Sequence, residues 1–179
     1  MRTSQEHPLE RGQLRGVGRR TGGGAGASVG GGCSRAEGEL ASLKELPTPL
    51  PSPYDPAADA KTQLAAAQAR AQAQHKLLLI DLGGNWCPDC RLLAGVMRLP
   101  EVKSFVDAHY VVVAIDVGRM DRNLDIPARY GVEHLVGVPT VLVADGTGHL
   151  KDAGHVAALA DARSMTPQAL ADWLARRTP

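Results

Sequence analysis

The sequence is poor in cysteine, in aromatic residues and in long apolar runs. Its 179 residues include three cysteines, too few for the disulfide framework that holds small secreted domains together. It contains no stretch of about 18 apolar residues, so we expect no integral membrane segment. The formal net charge of +1 gives no general attraction to nucleic acid, and we expect no nucleic-acid partner. Aromatic residues make up 3% of the chain, so the core must be built mainly from Leu, Val, Ile and Ala.

The N-terminal part lacks the apolar pattern of a folded domain. Residues 11–20 are basic, residues 22–32 are mostly glycine, and residues 47–53 alternate proline with mostly small side chains. Such segments bury too little apolar surface to offset the entropy that is lost on ordering. We therefore predict a disordered or targeting tail over residues 1–53 and one folded domain over residues 54–179.

The composition of this tail leaves two compartments open. Arg19 and Arg20 precede a weakly apolar Gly/Ala/Ser stretch that ends at Cys33, an order faintly similar to that of an export signal with a lipid-modified cysteine. A signal peptide needs an apolar segment of about 7–15 residues, and the stretch has none. If the segment is only a tail, we expect a cytoplasmic protein. If it is used as a signal, we expect a protein of the bacterial periplasm or envelope.

Apolar patterning in the remaining chain predicts helices that alternate with strands. Asp55 and Pro56 are typical of a helix start, and the Ala- and Gln-rich residues 57–74 should form that helix. Near-continuous apolar runs over residues 76–82 and 110–117 indicate strands covered on both faces. The other predicted elements are helices or helical turns over 91–97, 101–108, 126–130 and 167–177, and strands over 138–144 and 149–152 joined by a hairpin turn. This order predicts an α/β domain with one mixed sheet of about four strands and helices on both faces.

Two of the cysteines lie where a predicted strand passes into a helix. Pro88 and Asp89 separate Cys87 from Cys90, and Pro88 suits the first position of a helix. A cysteine at the helix N-cap has its sulfur near unpaired backbone N–H groups, which favour the thiolate, the nucleophilic form. Cys90 follows one helical turn later, close enough for a disulfide with Cys87. From this helix geometry we expect Cys87 to be the exposed sulfur and Cys90 the more buried one. Half of a zinc site and a structural disulfide without turnover are alternatives, although no histidine pair has the spacing of zinc ligands.

Three separated features resemble the thioredoxin superfamily. They are Trp86-Cys87-Pro88-Asp89-Cys90, Asp81 on the preceding strand, and Gly137-Val138-Pro139-Thr140 ahead of the predicted hairpin. The resemblance covers residues 77–173 and implies a thioredoxin fold with a redox-active cysteine pair. The chain departs from typical members at Val112, because they carry a lysine there, near the buried aspartate.

The resemblance implies catalytic roles for three residues. Cys87 would attack a substrate disulfide, and Cys90 would resolve the mixed disulfide that forms. Asp81 would be a buried carboxyl whose pKa is raised by desolvation, which suits a proton acceptor for Cys90. No cofactor and no metal ion are implied.

The same resemblance implies a substrate-binding surface beside the cysteines. Pro139 would follow a cis peptide bond and lie against the sulfurs, and the Val138 backbone would pair with an extended substrate peptide. Trp86 would lie over the site and contact Asp81 or the substrate. Pro88 and Asp89 would tune the pair.

We expect Asp89 to be exposed near both sulfurs. Its negative charge would then oppose thiolate formation, which favours a reductant over an oxidant.

Two function hypotheses follow from these residues. The first is a monomeric thiol–disulfide oxidoreductase, a protein-disulfide reductase that serves cell redox homeostasis and draws on an unidentified electron donor. The second is a thioredoxin-fold docking module whose groove beside Val138 and Pro139 holds a partner with little redox turnover.

Overall fold

The computed structural model describes residues 46–151 and 157–178. The predictions for residues 1–45, which include Cys33, and for Asp152 at the end of the predicted fourth strand lie outside the described residues. In chain order the described elements are α1 (Ala60–Ala73), β1 (Leu77–Gly83), α2 (Pro88–Val96), α3 (Pro100–His109), β2 (Tyr110–Asp116), α4 (Asp125–Ala128), β3 (Thr140–Ala144), a short 3-10 helix (Ala162–Ser164) and α5 (Pro167–Ala175).

The sheet has the order β2-β1-β3, with β1 in the centre. β1 pairs with β2 in parallel and with β3 antiparallel, so the predicted mixed sheet is confirmed. The predicted number of strands is wrong, because the sheet has three strands and not four among the residues that the structure describes. After the turn that follows β3, Leu150 forms only an isolated bridge with Ala144, and Lys151 donates one hydrogen bond to the Val143 carbonyl at 2.7 Å. In the described part of the chain this return is too short to form a strand.

Alternate residues of the central strand enter two different core layers. Leu78, Ile80 and Leu82 pack with the buried face of α1. Leu79 packs with residues of α2, α3 and α5. Because side chains alternate along a strand, this division places helices on both faces of the sheet, as the sequence predicted.

The first helix begins later than predicted. Asp59, and not Asp55, is the N-cap of α1, and its carboxylate accepts a hydrogen bond from the Thr62 N–H at 2.6 Å. Asp55 instead accepts a hydrogen bond from the Ala57 N–H at 2.9 Å, which closes a local turn before the helix. Both Asp55 and Asp59 are suitable N-caps, and Asp59 caps the helix in the structure.

Residues 46–53, which were assigned to the tail, contact helix α2. The Arg91 guanidinium donates hydrogen bonds to the carbonyls of Pro51 at 3.0 Å and Leu50 at 2.6 Å. The boundary between tail and domain before residue 54 stays a prediction. None of the helices in the described ranges is long and apolar enough to cross a membrane.

Candidate functional site

Cys87 is the N-cap of α2. Strand β1 ends at Gly83, and a short loop leads to Cys87, whose φ of −88° and ψ of 118° are those of an extended residue before a helix. Its sulfur accepts a hydrogen bond from the Cys90 backbone N–H at 3.4 Å, and Pro88 opens the helix. The sulfur therefore lies at a helix N-terminus, where unpaired N–H groups and the helix dipole favour negative charge.

Both cysteines are free thiols, and both are buried. Cys90 has no exposed surface and Cys87 is 4% exposed. The expectation that Cys87 is an exposed sulfur is therefore wrong for this reduced form. The loop before β3 covers it, and its thiol donates a hydrogen bond to the Val138 carbonyl at 3.4 Å. Any group that approaches the Cys87 sulfur must therefore displace this hydrogen bond.

The loop before β3 brings Val138 and Pro139 to the cysteines. The Val138–Pro139 peptide bond is cis, and both residues are buried. The Thr140 hydroxyl donates a hydrogen bond to the Gly137 carbonyl at 2.7 Å, which closes the turn around this peptide. The binding of a substrate peptide by Val138 and Pro139 stays a prediction.

Asp81 is a buried carboxyl of the central strand. It is 1% exposed, and its cross-strand neighbours are Ala114 and Val141, which carry no charge. Its Oδ2 accepts a hydrogen bond from the Tyr54 hydroxyl at 2.9 Å, whereas Oδ1 has no hydrogen-bond partner among the described residues. Burial raises the pKa of Asp81 from 3.8 to about 7, and the Tyr54 hydrogen bond acts in the opposite direction.

The Cys90 thiol is buried and lies close enough to Asp81 to be affected by its charge. Burial raises the pKa of the Cys90 thiol, and its hydrogen bond to Cys87 and the charge of Asp81 raise it further. A thiol that holds its proton this tightly needs an acceptor before it can act as a nucleophile. The structure thus brings together Cys87, Cys90 and Asp81, the three residues to which the sequence assigned catalysis.

Tyr54 is a site residue that the sequence analysis missed. Its side chain is buried, and its hydroxyl contacts Asp81 across 27 residues of sequence. Asn85, in the loop before Cys87, binds the backbone of Tyr54 twice: its side-chain amide donates to the Tyr54 carbonyl at 2.6 Å and accepts from the Tyr54 N–H at 3.2 Å. No local motif marks Tyr54, and the one available signal is that it is an aromatic residue in a chain that has few.

Trp86 lies beside the site and is 44% exposed. Its indole N–H donates a hydrogen bond to the Gly118 carbonyl at 2.7 Å, and the Arg119 guanidinium lies 4.8 Å from the ring centroid. The hydrogen bond of Trp86 thus goes to the loop after β2 and not to Asp81. The expected contact with a substrate stays a prediction.

Asp89 is buried, and the expectation that it is exposed is wrong. It is 4% exposed, whereas its neighbour Pro88 is exposed. One carboxylate oxygen accepts a hydrogen bond from the Arg163 backbone N–H at 2.8 Å, and the other lies 3.6 Å from the Arg163 guanidinium. The 3-10 helix that carries Arg163 is 74 residues away in the sequence, so nothing near Asp89 indicates this partner.

The reactive groups of the site are two thiols, a carboxyl and a phenol. A sulfur at a helix N-terminus can act as a nucleophile, and a second sulfur one turn later can attack the first when the first is part of a disulfide. A carboxyl with a pKa of about 7 can take a proton near neutral pH. Within residues 46–151 and 157–178, no group of three or more His, Cys, Asp or Glu side chains could hold a metal ion.

The two cysteines, Asp81 and the Val138–Pro139 peptide lie in a region that matches a known family. A family model described as thioredoxin-like matches residues 59–146. The structure of a disulphide isomerase from Xylella fastidiosa Temecula1 is 38% identical in sequence, with a TM-score of 0.67 over 71% of this chain and 97% of that chain. A protein of unknown function from Pseudomonas aeruginosa is 18% identical, with a TM-score of 0.38 over 64% of this chain and 81% of that one. No curated protein sequence matches the chain.

Proposed function

The chain belongs to the thioredoxin superfamily, and from this premise we propose that it exchanges disulfides with protein substrates through Cys87 and Cys90. The family and the disulphide isomerase neighbour support a thiol–disulfide oxidoreductase in general. The observation that carries the proposal is the position of the Cys87 sulfur at the N-terminus of α2, within hydrogen-bond reach of both the Cys90 N–H and the Val138 carbonyl. Among the described residues, Cys87 and Cys90 are the only two thiols, and the buried carboxyl of Asp81 lies near them.

In the proposed reaction, the Cys87 thiolate attacks one sulfur of a substrate disulfide. The substrate S–S bond breaks, one substrate sulfur leaves as a thiolate, and the other forms a mixed disulfide with Cys87. Cys90 then loses its proton to Asp81 and attacks the Cys87 sulfur, which releases the second substrate thiolate. The substrate gains two electrons, and the protein is left with a Cys87–Cys90 disulfide that an external electron donor must reduce.

We further propose that the protein acts as a reductant rather than an oxidant. Thiol–disulfide oxidoreductases that act as strong oxidants have a stabilised reduced form, because their attacking cysteine is stabilised as a thiolate. Here Asp89 puts a carboxylate in the first turn of α2, and Arg163 offsets it only in part because the Arg163 side chain is 64% exposed. We expect a reduction potential closer to about −270 mV than to about −120 mV in glutathione buffers, and a value near the second figure would contradict the proposed direction.

The Cys90→Ser variant tests the activity directly. It keeps the attacking sulfur and removes the resolving one, so mixed disulfides should accumulate as higher-mass bands on non-reducing gels that dithiothreitol removes. Cys87→Ser is the matched control in the same turn of α2, and it should trap nothing. The unmodified protein should also accelerate insulin reduction by dithiothreitol; a rate equal to that of the Cys87→Ser variant would contradict the proposal.

The docking-module hypothesis gives a different result in the same experiment. A module that only docks should bind its partner as well with both cysteines replaced by serine as with both present. Retention of a client through a bond that dithiothreitol cleaves, together with its loss in the double variant, would favour the oxidoreductase.

A further inference from the structure

The two oxygens of the Asp81 carboxylate differ in their hydrogen bonds. The Tyr54 hydroxyl donates to Oδ2 at 2.9 Å in a buried environment, and Oδ1 has no hydrogen-bond partner among the described residues. A buried polar atom without a partner is rare in a folded protein and calls for an explanation, of which a redox or catalytic role is one. One oxygen therefore fixes the orientation of the carboxylate, and the other is available for a proton.

Tyr54 and Cys90 meet on the same side of the strand end. A methyl group placed on Gly83 would lie 2.6 Å from the Tyr54 hydroxyl oxygen and 2.7 Å from the Cys90 sulfur. The Tyr54 hydroxyl oxygen and the Cys90 sulfur therefore both lie close to Gly83, on the side where a side chain would be. The hydroxyl that binds Asp81 is therefore a neighbour of the sulfur whose proton must be removed.

The backbone of Tyr54 is fixed to the cysteine loop itself. Asn85 lies two residues before Cys87 and binds the Tyr54 carbonyl at 2.6 Å and the Tyr54 N–H at 3.2 Å. The chain just before Tyr54 is also attached to α2, because Arg91 donates to the Pro51 carbonyl at 3.0 Å. The phenol position is thus set by the same elements that carry the two sulfurs.

We propose that Tyr54 is a positioning residue for proton transfer at the dithiol: its hydroxyl orients the Asp81 carboxylate so that Oδ1 accepts the Cys90 proton. This inference rests on the proposed function. In the step concerned, the Cys90 S–H bond breaks and its proton moves to Oδ1, directly or through one water. The Cys90 thiolate then attacks the Cys87 sulfur of the mixed disulfide, the new S–S bond forms, and the substrate sulfur leaves as a thiolate.

Asp81 has no cation beside it among the described residues, so a neutral hydrogen-bond donor such as the Tyr54 hydroxyl has a large influence on its carboxylate. Among the described residues, the titratable groups that act on Asp81 and its partners are Tyr54 from the segment before α1 and Cys87 and Cys90 from α2. The neighbours on β2 and β3, Ala114 and Val141, carry no charge. Burial and the adjacent acidic groups raise the pKa of Tyr54 far above its ordinary value, so it remains a donor wherever Asp81 titrates.

The Tyr54→Phe variant of the full chain tests this role. The side-chain carboxyl carbon of Asp81 should titrate near pH 7 in the unmodified protein, as followed by carbon-13 NMR. Loss of a hydrogen bond to the charged form should move that midpoint upward by about half to one pH unit in Tyr54→Phe. The rise of the insulin-reduction rate with pH should move in the same direction. An unchanged Asp81 midpoint in a folded Tyr54→Phe variant would overturn the inference.

Tyr110→Phe is the matched control. The Tyr110 hydroxyl is also buried, but it donates to the Leu174 carbonyl at 2.8 Å, far along the chain from the cysteines. This variant loses one buried hydroxyl and should leave the Asp81 midpoint unchanged. If both variants moved the midpoint equally, the effect would reflect general destabilisation and the inference would fail.

A measurement on the unmodified protein covers the case in which Tyr54→Phe does not fold. The chemical shift of the Tyr54 ring carbon that bears the hydroxyl should follow the Asp81 titration with the same midpoint, and a flat profile would overturn the inference. Both NMR readouts are independent of activity. A protein that shows these couplings but reduces no disulfide would contradict the proposed function, whereas an active protein without them would contradict the role of Tyr54.

Discussion

Replacement of Asp81 by asparagine should stabilise the reduced protein at neutral and alkaline pH. Asp81 is buried and meets no cation among the described residues, so its carboxylate is costly to keep charged. Asparagine is nearly the same size, carries no charge, and can still accept the hydrogen bond that Tyr54 donates. The substitution therefore removes the cost of the charge and leaves the packing almost unchanged.

The magnitude and the pH window follow from the pKa of Asp81. That pKa is about 7 in the folded protein against 3.8 for the ordinary group, so between these values the folded state binds more protons than the unfolded one. Stability should accordingly fall as pH rises through this window, and the loss should be complete above about pH 7. At about 1.4 kcal/mol for each pKa unit, the penalty is about 4 kcal/mol at pH 8 and close to zero at pH 3. Asp81→Asn should recover most of it.

Urea unfolding from about pH 4 to pH 8, under a reductant, measures this difference. The curves of the two proteins should separate as pH rises, with Asp81→Asn the more stable, while resolution of mixed disulfides becomes slower in the variant. Asp145→Asn is a control of opposite sign, because hydrogen bonds from Thr147 and His149 lower the pKa of Asp145 to about 2. Its removal should destabilise the protein at neutral pH. Parallel curves for Asp81→Asn and the unmodified protein would refute the reasoning.

Two further substitutions follow from close contacts at the site. Gly83→Ala should cost about 1–3 kcal/mol and slow the release of mixed disulfides, because its methyl group would overlap the Tyr54 hydroxyl and the Cys90 sulfur; unchanged urea unfolding and unchanged release would contradict this. Asp89→Ala should cost about 1.5–3 kcal/mol, since it leaves the Arg163 N–H without its carboxylate, and Asp89→Asn should cost less because an acceptor remains; equal losses in the two variants would argue against the hydrogen bond as the cause.

The elements that the sequence predicted well have local causes. The apolar runs of β1 and β2 are continuous enough to identify buried strands to within one residue at each end. The start of α5 is correct because Thr166 and Pro167 are adjacent to each other, and the Thr166 hydroxyl accepts a hydrogen bond from the Ala169 N–H at 3.1 Å. In each case the residues that determine the element lie within it or next to it.

The errors in secondary structure have two causes. One helix-start signal occurs at two positions, and the hairpin signal predicts a turn but not the length of the strand that follows it. Asp55 and Asp59 are both acceptable helix caps, and the sequence offers no means to decide between them before the chain is folded. The turn after β3 is a strong hairpin signal, but a turn does not determine how long the returning strand stays paired. Leu150 makes one bridge, and pairing is not continued in the described residues.

The residues of the site also fall into those that a local motif predicts and those that it does not, and we propose different chemical roles for the two groups. Residues that belong to a local motif, such as Cys87 and Cys90, are predictable, and in the proposed reaction they supply the atoms that form and break bonds. Tyr54 and Arg163 are not, because their partners Asp81 and Asp89 lie 27 and 74 residues away in the sequence. A chain with the same cysteine motif but a different residue at position 54 should therefore keep the exchange chemistry and change its pH dependence. On the proposed function, the motif predicts which reaction is possible, and we propose that the long-range contacts determine its pH dependence.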